Sequence, residues 1–260
     1  PVKKILVTGA EGQLGNTLKE KAGSSKDQWV FCGRKEFDIT DSKAMAAFLK
    51  DKQFDYCINC AAYTNVVKAE LEVDQAQAIN VEAVKKLVHL CNQSQITLIH
   101  ISTDYVFNGN KKTPYLESDV TAPLNQYGKS KLFGEQEIQQ NSRAFYIVRT
   151  SWLYSKTLGK NFYNSILSKA KKGESLSVVD DQIGTPTNVD HLAAFIMRLI
   201  SKKPPKGLYH FSDEKIMSWF DLAIKILKEH QLDNTVNPIA TSEPGVVRPH
   251  YSPIFSNKKF

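Results

Sequence analysis

The glycine-rich segment TGAEGQLG, from Thr8 to Gly15, constrains the fold of this chain more than any other feature of the sequence. It follows a short apolar run at residues 5–7 and leads into a helix pattern that extends to Leu18. Glycines at G-x-x-G-x-x-G spacing permit a tight turn and let the backbone approach a pyrophosphate. A helix that begins at such a turn presents unpaired N–H groups to the phosphates. The segment predicts a dinucleotide-binding turn, although three glycines also suit a purely structural loop.

Short apolar runs alternate with helix-period segments over the first 150 residues. We predict strands at residues 5–7, 29–32, 56–61, 98–101 and 146–148. One intervening helix carries Val81, Val84, Val88 and Cys91 on a single face, and another runs from about 125 to 140. This alternation predicts an α/β fold with a doubly wound, Rossmann-like parallel sheet.

Beyond residue 149 the alternation loosens, which predicts a second unit. We predict a dinucleotide-binding domain over 1–150, and over 151–260 mainly a smaller C-terminal substrate-binding lobe that covers the sheet. A short strand at 208–211 and a helix at 219–229 belong to this second region, and part of 177–200 returns to the first domain.

Composition excludes several classes of protein. The 260 residues include 42% hydrophobic and 10% aromatic residues, enough for a packed core, and contain no apolar run near the roughly 20 residues that span a membrane. The net charge of +7 comes from scattered basic pairs without a basic stripe, so we predict no nucleic-acid partner. From the first residues we expect no secretory signal, and from four cysteines we expect no disulfide framework. We therefore expect a cytoplasmic protein.

Two further segments contain side chains suited to proton transfer and to binding a carbonyl group. Tyr127 and Lys131 stand at i and i+4 on one helix face, where a cation would lower the pKa of the phenol and prepare it to give a proton to a carbonyl oxygen. Ser102 and Thr103 follow the strand at 98–101, and the carboxyl ends of parallel strands are where ligands bind. Thr103 could polarise a substrate carbonyl; alternatively both hydroxyls cap the next turn.

The end of the second strand predicts the adenosine site. Asp38 and Ile39 follow that strand, and Arg34 stands where the 2′-phosphate of NADPH is read, which favours NADPH over NADH. A solvated surface arginine is the alternative. Cys57-x-x-Cys60 lies in a predicted buried strand and the histidines have no metal-ligand spacing, so both are assigned to packing or to the surface.

Together these segments resemble the extended short-chain dehydrogenase/reductase superfamily, through the strings TGxxGxxG, NCAAYT, STDYVF, YxxxK and RTSW. Residues 102–107, 123–128, 149–152, 181–187 and 248–252 are similar, more closely, to the dTDP-4-dehydrorhamnose reductases, and the likeness covers nearly the whole chain.

The resemblance implies an NADPH-dependent reduction of the 4-keto group of dTDP-4-dehydro-β-L-rhamnose to give dTDP-L-rhamnose, with NADH left open. It implies Tyr127 as proton donor, Lys131 as its partner and ribose contact, and Thr103 as the polarising hydroxyl. The implied cofactor contacts are Gly9, Gly12, Gln13, Leu14, Gly15, Arg34, Asp38, Ile39, Ala61, Ala62, Tyr63, Thr64, Asn80, Ser102, Tyr127 and Lys131. The implied sugar-nucleotide contacts are Thr103, Asp104, Trp152 and Arg248. Asn80 would support a water relay to Lys131, or is simply a surface residue.

The chain departs from the family at its end. Members usually continue beyond the position of Phe260 with another helix, and some are dimers bridged by Mg²⁺ through carboxylates of that region. We therefore predict no required metal and leave a homodimer open. The alternatives in function are another sugar-nucleotide reductase or epimerase of the superfamily, and a regulatory subunit resembling the β subunit of methionine adenosyltransferase.

Overall fold

The computed structural model describes residues 1–242 and 244–260. Its strands are β1 Lys4–Thr8, β2 Gln28–Phe31, β3 Tyr56–Asn59, β4 Thr97–Thr103, β5 Phe145–Thr150, β6 Leu153–Tyr154, β7 Leu176–Val179, β8 Ile183–Gly184, β9 Thr187–Asn188, β10 Gly207–His210, β11 Met217–Ser218 and β12 Val236–Ile239. Its α-helices are α1 Gln13–Ala22, α2 Ser42–Leu49, α3 Val66–Ala69, α4 Val73–Gln77, α5 Ala83–Gln93, α6 Gln126–Asn141, α7 Phe162–Lys171, α8 Val189–Lys202 and α9 Trp219–Glu229.

A six-stranded parallel sheet in the order β10-β5-β4-β3-β1-β2 forms the centre of the molecule. The register pairs Leu6 with Cys57, and Cys57 with Leu98, so continuous apolar runs lie in the middle strands. The direction in which successive strands are added to the sheet reverses between β1 and β3. The carboxyl ends of these two neighbouring strands therefore form the topological switch point. The predicted doubly wound fold is confirmed.

Each face of the sheet is covered by helices. On one face α1 and α8 pack together over the sheet, with Leu14, Leu18, Leu192 and Ile196 in the buried cluster. On the other face α2, α5 and α6 bury Met45, Val84, Val88 and Ile138 against the sheet, among others. The predicted helical face from residue 81 to 91 is thus a packing face, as its spacing indicates.

Helix starts follow from side-chain caps. Asp41 accepts a hydrogen bond from the N–H of Ala44 at 3.0 Å, and Asn125 accepts one from the N–H of Gly128 at 2.8 Å. Asn125 also donates to the carbonyl of Val247 at 2.9 Å. The same residue therefore starts α6 and holds the C-terminal segment near it.

A second apolar cluster lies beyond residue 150, where α7 and α9 pack on the paired strands β7 and β12. The short strand near 208 does not join this region, contrary to its assignment to the smaller lobe. Strand β10 extends the central sheet by pairing with β5, because Leu208 and Tyr209 continue its apolar layers. Helix α8 also belongs with the central sheet, because it packs on α1 over one face of that sheet.

Two local features differ from the sequence-based expectation. The third strand ends at Asn59, and residues 60–65 form an extended loop. The long helix over 73–93 contains a π-helical segment, Ala78–Glu82. Such segments occur preferentially at functional sites.

Candidate active site

One cavity of about 690 Å³ lies at the carboxyl ends of the central strands. Most of the residues singled out in the sequence line it: Gly9, Gly12, Gln13, Leu14, Gly15, Arg34, Asp38, Ile39, Ala61, Ala62, Thr64, Ser102, Thr103, Asp104, Tyr127, Lys131 and Trp152. The glycine turn, the strand ends and α6 therefore converge on one crevice. This is where open α/β sheets bind their ligands.

The glycine turn is shaped for close backbone approach. Gly9 has φ +57°, and a Cβ there would lie 2.5 Å from the amide nitrogen of Ala61. A Cβ on Gly15 would lie 2.5 Å from Cα of Ala10. Gly12 is the N-cap of helix α1 and supplies no side-chain hydrogen bond. The first N–H groups of the helix are therefore available to an anion at the cavity. These features fit the pyrophosphate of a dinucleotide.

At the outer end of the cavity, Arg34 and Asp38 form a loose pair, with 3.5 Å between Nε and Oδ2. The Arg34 side chain is 78% exposed. Asp38 Oδ1 accepts from the N–H and the hydroxyl of Thr40 at 2.9 and 2.6 Å. The hydrogen bond from the Thr40 hydroxyl is the main cause that lowers the pKa of Asp38, with Arg34 contributing. Asp38 is thus held ionised by its own loop.

Tyr127 lies deeper in the cavity, and its acidity differs from the expectation. Burial raises the pKa of the Tyr127 phenol above its ordinary value, and the nearby Asp104 and Tyr105 raise it further, while a hydrogen bond with Thr103 opposes the shift. The prediction that Lys131 lowers the pKa of Tyr127 is therefore wrong, because desolvation of the phenolate dominates. Thr103 also accepts from the N–H of Tyr105 at 3.1 Å, so it caps a turn as well as facing the cavity.

Lys131 is buried, and its Nζ donates to the carbonyl of Ile101 at 2.7 Å. Burial lowers the pKa of Lys131 to about 8, while Glu135, one helical turn further on, acts in the opposite direction. The Lys131 side chain therefore reaches the carboxyl-terminal half of β4.

A buried ion pair that was not predicted lies beneath these residues. The guanidinium of Arg149 donates to both carboxylate oxygens of Glu135, at 2.6–3.1 Å, and Ser102 donates to the same carboxylate at 2.5 Å. Arg149 also contacts the ring of His210 at 3.3 Å. Ser102 is thus turned toward α6. No spacing signal joins residues 135 and 149, which come together only when α6 packs on the central sheet.

Asp104 and Trp152 also line the cavity. Asp104 accepts from the hydroxyl of Ser252 at 2.6 Å, and burial raises its pKa to about 7. Trp152 has φ +46°, unusual for a side chain of this size, and stacks on Trp219 with ring centroids 3.6 Å apart. A Cβ on Gly184 would lie 2.5 Å from the Trp152 ring. The Trp219 ring therefore supports Trp152.

The family comparison agrees with this geometry. A protein-family model described as the RmlD substrate binding domain matches residues 3–259. The chain belongs to this family. The resemblance drawn from the motifs is confirmed.

Similar proteins are named as sugar-nucleotide enzymes or polysaccharide biosynthesis proteins. The spore coat polysaccharide biosynthesis protein SpsK of Bacillus subtilis is 37% identical over 96% of this chain and 88% of that protein. The dTDP-4-dehydrorhamnose reductase of Escherichia coli K12 is 37% identical over 86% of this chain and 77% of that protein. A crystal structure of dTDP-4-dehydrorhamnose reductase from Bacillus anthracis in complex with NADP superimposes with a TM-score of 0.95, at 36% identity, over 99% of this chain and 92% of that one.

Three of the residues singled out lie outside the described lining of the cavity of this RmlD-family chain: Tyr63, Asn80 and Arg248. Asn80, in the π-helical segment, accepts from the N–H of Tyr63 at 2.9 Å and donates to its carbonyl at 3.0 Å. Asn80 also donates to Ser130 at 2.9 Å and is 2% exposed, so the alternative that Asn80 is a surface residue is wrong. Arg248 donates to the Tyr105 hydroxyl at 3.0 Å.

Several lining residues were missed from the sequence: Glu11, Gly33, Phe37, Thr40, Cys60, Ile79, Ile101, Thr150, Ser151 and Leu153. The rule that ligands bind at strand ends would have found Thr150, the last residue of β5, and Ser151, which follows it. The position of Glu11 has no such signal, because it depends on how the glycine turn packs against β2.

Among residues 1–242 and 244–260, no group of three or more His, Cys, Asp or Glu side chains could hold a metal ion. No helix in the described part of the chain is long and apolar enough to cross a membrane.

Proposed function

We propose that this chain is a dTDP-4-dehydrorhamnose reductase, which uses NADPH to reduce the 4-keto group of dTDP-4-dehydro-β-L-rhamnose to the hydroxyl of dTDP-L-rhamnose. The observation that carries the proposal is the convergence of the glycine turn with Thr103, Tyr127 and Lys131 in one cavity at the switch point of the sheet. The relatives named above support the choice of substrate.

The glycine turn would hold the dinucleotide, and the bound dinucleotide would supply the hydride to the carbonyl carbon. Proton delivery then falls to the chain. The raised pKa of Tyr127 keeps its phenol protonated near neutral pH, which suits a group that gives a proton to the carbonyl oxygen. Lys131, buried one turn along α6, would hold the nicotinamide ribose and stabilise the phenolate that remains.

Thr103 would orient the substrate. Its hydroxyl lies in the cavity close to Tyr127, where it can donate to the same carbonyl oxygen and polarise it. Asp104 and the Trp152 ring, which also line the cavity, would contact the sugar. Arg248, which donates to the Tyr105 hydroxyl, would meet the diphosphate, for which a guanidinium is well suited.

The choice of NADPH as the principal cofactor rests on Arg34, which lines the outer end of the cavity, and on the NADP bound to the Bacillus anthracis relative. The four cysteines are free thiols, which fits a reducing compartment, and we propose the cytoplasm.

The test is NADPH oxidation, followed at the nicotinamide absorbance band, with dTDP-4-dehydro-β-L-rhamnose as substrate and NADH in parallel. We expect rapid oxidation and one equivalent of dTDP-L-rhamnose, identified by chromatography and mass. Oxidation with another keto sugar but not with this one would contradict the proposed substrate. Bound NAD⁺ that persists through gel filtration would indicate an epimerase, and co-purification with an adenosyltransferase without turnover would indicate a regulatory subunit.

A further inference from the structure

Glu11 lies within the glycine turn, yet its carboxylate reaches the end of β2. The residue is exposed and lines the cavity. A Cβ on Gly33 would lie 2.6 Å from Glu11 Oε1 and 2.7 Å from its Cδ, so the carboxylate covers the face of Gly33 that lacks a side chain. The N–H of Ala10 donates to the carbonyl of Cys32 at 3.0 Å and fixes the two segments together.

This position has a known chemical meaning in dinucleotide sites. An acidic side chain at the end of the second strand accepts a hydrogen bond from the 2′-hydroxyl of the adenosine ribose, whereas an arginine there accommodates the 2′-phosphate of NADP. The acid is usually supplied by the strand itself, about 20 residues after the glycines. Here the turn supplies it, and Arg34 follows Gly33 directly.

Asp38 is the other acid at this end of the cavity, but its carboxylate is already engaged. Its Oδ1 accepts twice from Thr40, and its Oδ2 faces Arg34. Within residues 1–242 and 244–260, the Glu11 carboxylate has no hydrogen-bond or ion-pair partner. Glu11 is therefore the acid that is available to a ligand.

We propose that Glu11 is a specificity-determining residue for the nicotinamide dinucleotide: it accepts from the 2′-hydroxyl of NADH and repels the 2′-phosphate of NADPH. Arg34 acts in the opposite sense, so the two side chains together set the ratio of affinities. This inference rests on the proposed function, because it assumes that a dinucleotide occupies the cavity.

The test measures binding rather than turnover. NADPH and NADH are each titrated into the purified chain without sugar substrate, with the dissociation constant taken from nicotinamide fluorescence and from calorimetry. We expect Glu11→Gln to raise the NADPH-over-NADH affinity ratio about five- to tenfold, the effect of removing one unpaired charge near a surface. Arg34→Gln should lower the ratio by a similar factor.

Glu36→Gln is the matched control. It removes the same charge three residues beyond Gly33, at an exposed position outside the described lining of the cavity, and should leave the ratio unchanged. A salt titration adds a second readout, because the effect of Glu11→Gln should shrink as ionic strength rises.

Each other outcome has a distinct meaning. If Glu11→Gln leaves the NADPH-over-NADH affinity ratio unchanged while Arg34→Gln lowers it, the proposed role of Glu11 is overturned. Equal losses for both dinucleotides also overturn it and make Glu11 a structural part of the turn. A wild-type chain that binds neither dinucleotide overturns this inference and the proposed function together. Tight dinucleotide binding without keto-sugar reduction overturns only the proposed function.

Discussion

The phenol of Tyr127 is held protonated by its surroundings, and this determines which step depends on it. Burial and the neighbouring Asp104 disfavour the phenolate in the ligand-free chain. A proton donor must hold its proton until negative charge develops on the carbonyl oxygen, and the phenolate then needs a nearby cation. In the proposed reaction Lys131 would be that cation, and the two residues would act in sequence rather than as a pre-ionised pair.

Tyr127→Phe tests this role, because it removes the hydroxyl and leaves the ring that packs edge-on against Tyr105. We expect turnover with NADPH to fall by at least about 10²-fold, since general acid catalysis contributes roughly that much. The dissociation constant for NADPH should change little. Steady-state kinetics and a fluorescence titration check both expectations, and wild-type turnover in the variant would remove Tyr127 from the mechanism.

The candidate site was predictable from the sequence where local rules apply. The i, i+4 spacing of Tyr127 and Lys131 and the strand end at Thr103 bring those residues into the cavity as expected. The sign of the Tyr127 pKa shift was not predictable, because desolvation depends on tertiary burial. The Glu135–Arg149 pair, likewise, arises only from the packing of α6 on the central sheet.

At the scale of elements, helix α6 reaches the cavity because it packs closely on the π-helical segment. A Cβ on Gly134 would overlap the carbonyl oxygen of Asn80, so only glycine allows this approach. The same contact region places the Asn80 amide against Ser130 and against the backbone of Tyr63. The position of α6 and the path of the loop after β3 are therefore set together.

Gly134→Ala should destabilise the chain by about 1–3 kcal/mol, the usual cost of overpacking, even though alanine is the better helix former by about 1 kcal/mol. It should also weaken NADPH binding, because Asn80 holds the loop that faces the cofactor. Urea unfolding and a fluorescence titration measure the two effects.

Gly23→Ala is the control, since a Cβ there would lie 3.4 Å from the carbonyl oxygen of Glu20, an ordinary contact at the end of α1. It should be neutral or stabilising by up to about 1 kcal/mol. A Gly134→Ala chain as stable as Gly23→Ala would contradict the packing argument.

Elements whose pattern is local were predicted, and those that need a distant partner were not. Strands β1 to β5 and helices α1, α5 and α6 follow from apolar period and caps. Strand β10 was assigned to the wrong part of the molecule, because an apolar run of four residues does not tell which sheet edge it joins. The π-helical segment is invisible to periodicity, since Val81 and Val84 stay on the buried face across it.

For the whole molecule, the C-terminal segment closes on the site. Ser252 donates to Asp104 at 2.6 Å across 148 residues of sequence, and Tyr115 forms a strand-like bridge with Ile254. Asp104 is buried by this closure, and the burial that raises its pKa to about 7 makes it sensitive to pH. The closure of the chain and the ionisation of one carboxyl are thereby coupled.

Asp104→Asn should stabilise the ligand-free chain at alkaline pH. A carboxyl whose pKa rises on folding, here from 3.8 to about 7, costs nothing while both states are protonated. The cost in folding stability begins as the pH rises through the unfolded-state pKa and grows until about pH 7. Above that pH the cost stays constant, at roughly 4 kcal/mol at most. In urea unfolding, the stability of Asp104→Asn minus that of wild type should therefore be about 2 kcal/mol larger at about pH 8 than at about pH 5. Lys131 gives both chains a trend of stability with pH that is opposite to that of Asp104, and comparing the two chains at each pH cancels it. Asp180→Asn, at an exposed position, controls for the removal of a carboxylate. A difference that is the same at both pH values would mean that the closed C-terminal segment leaves Asp104 ionised.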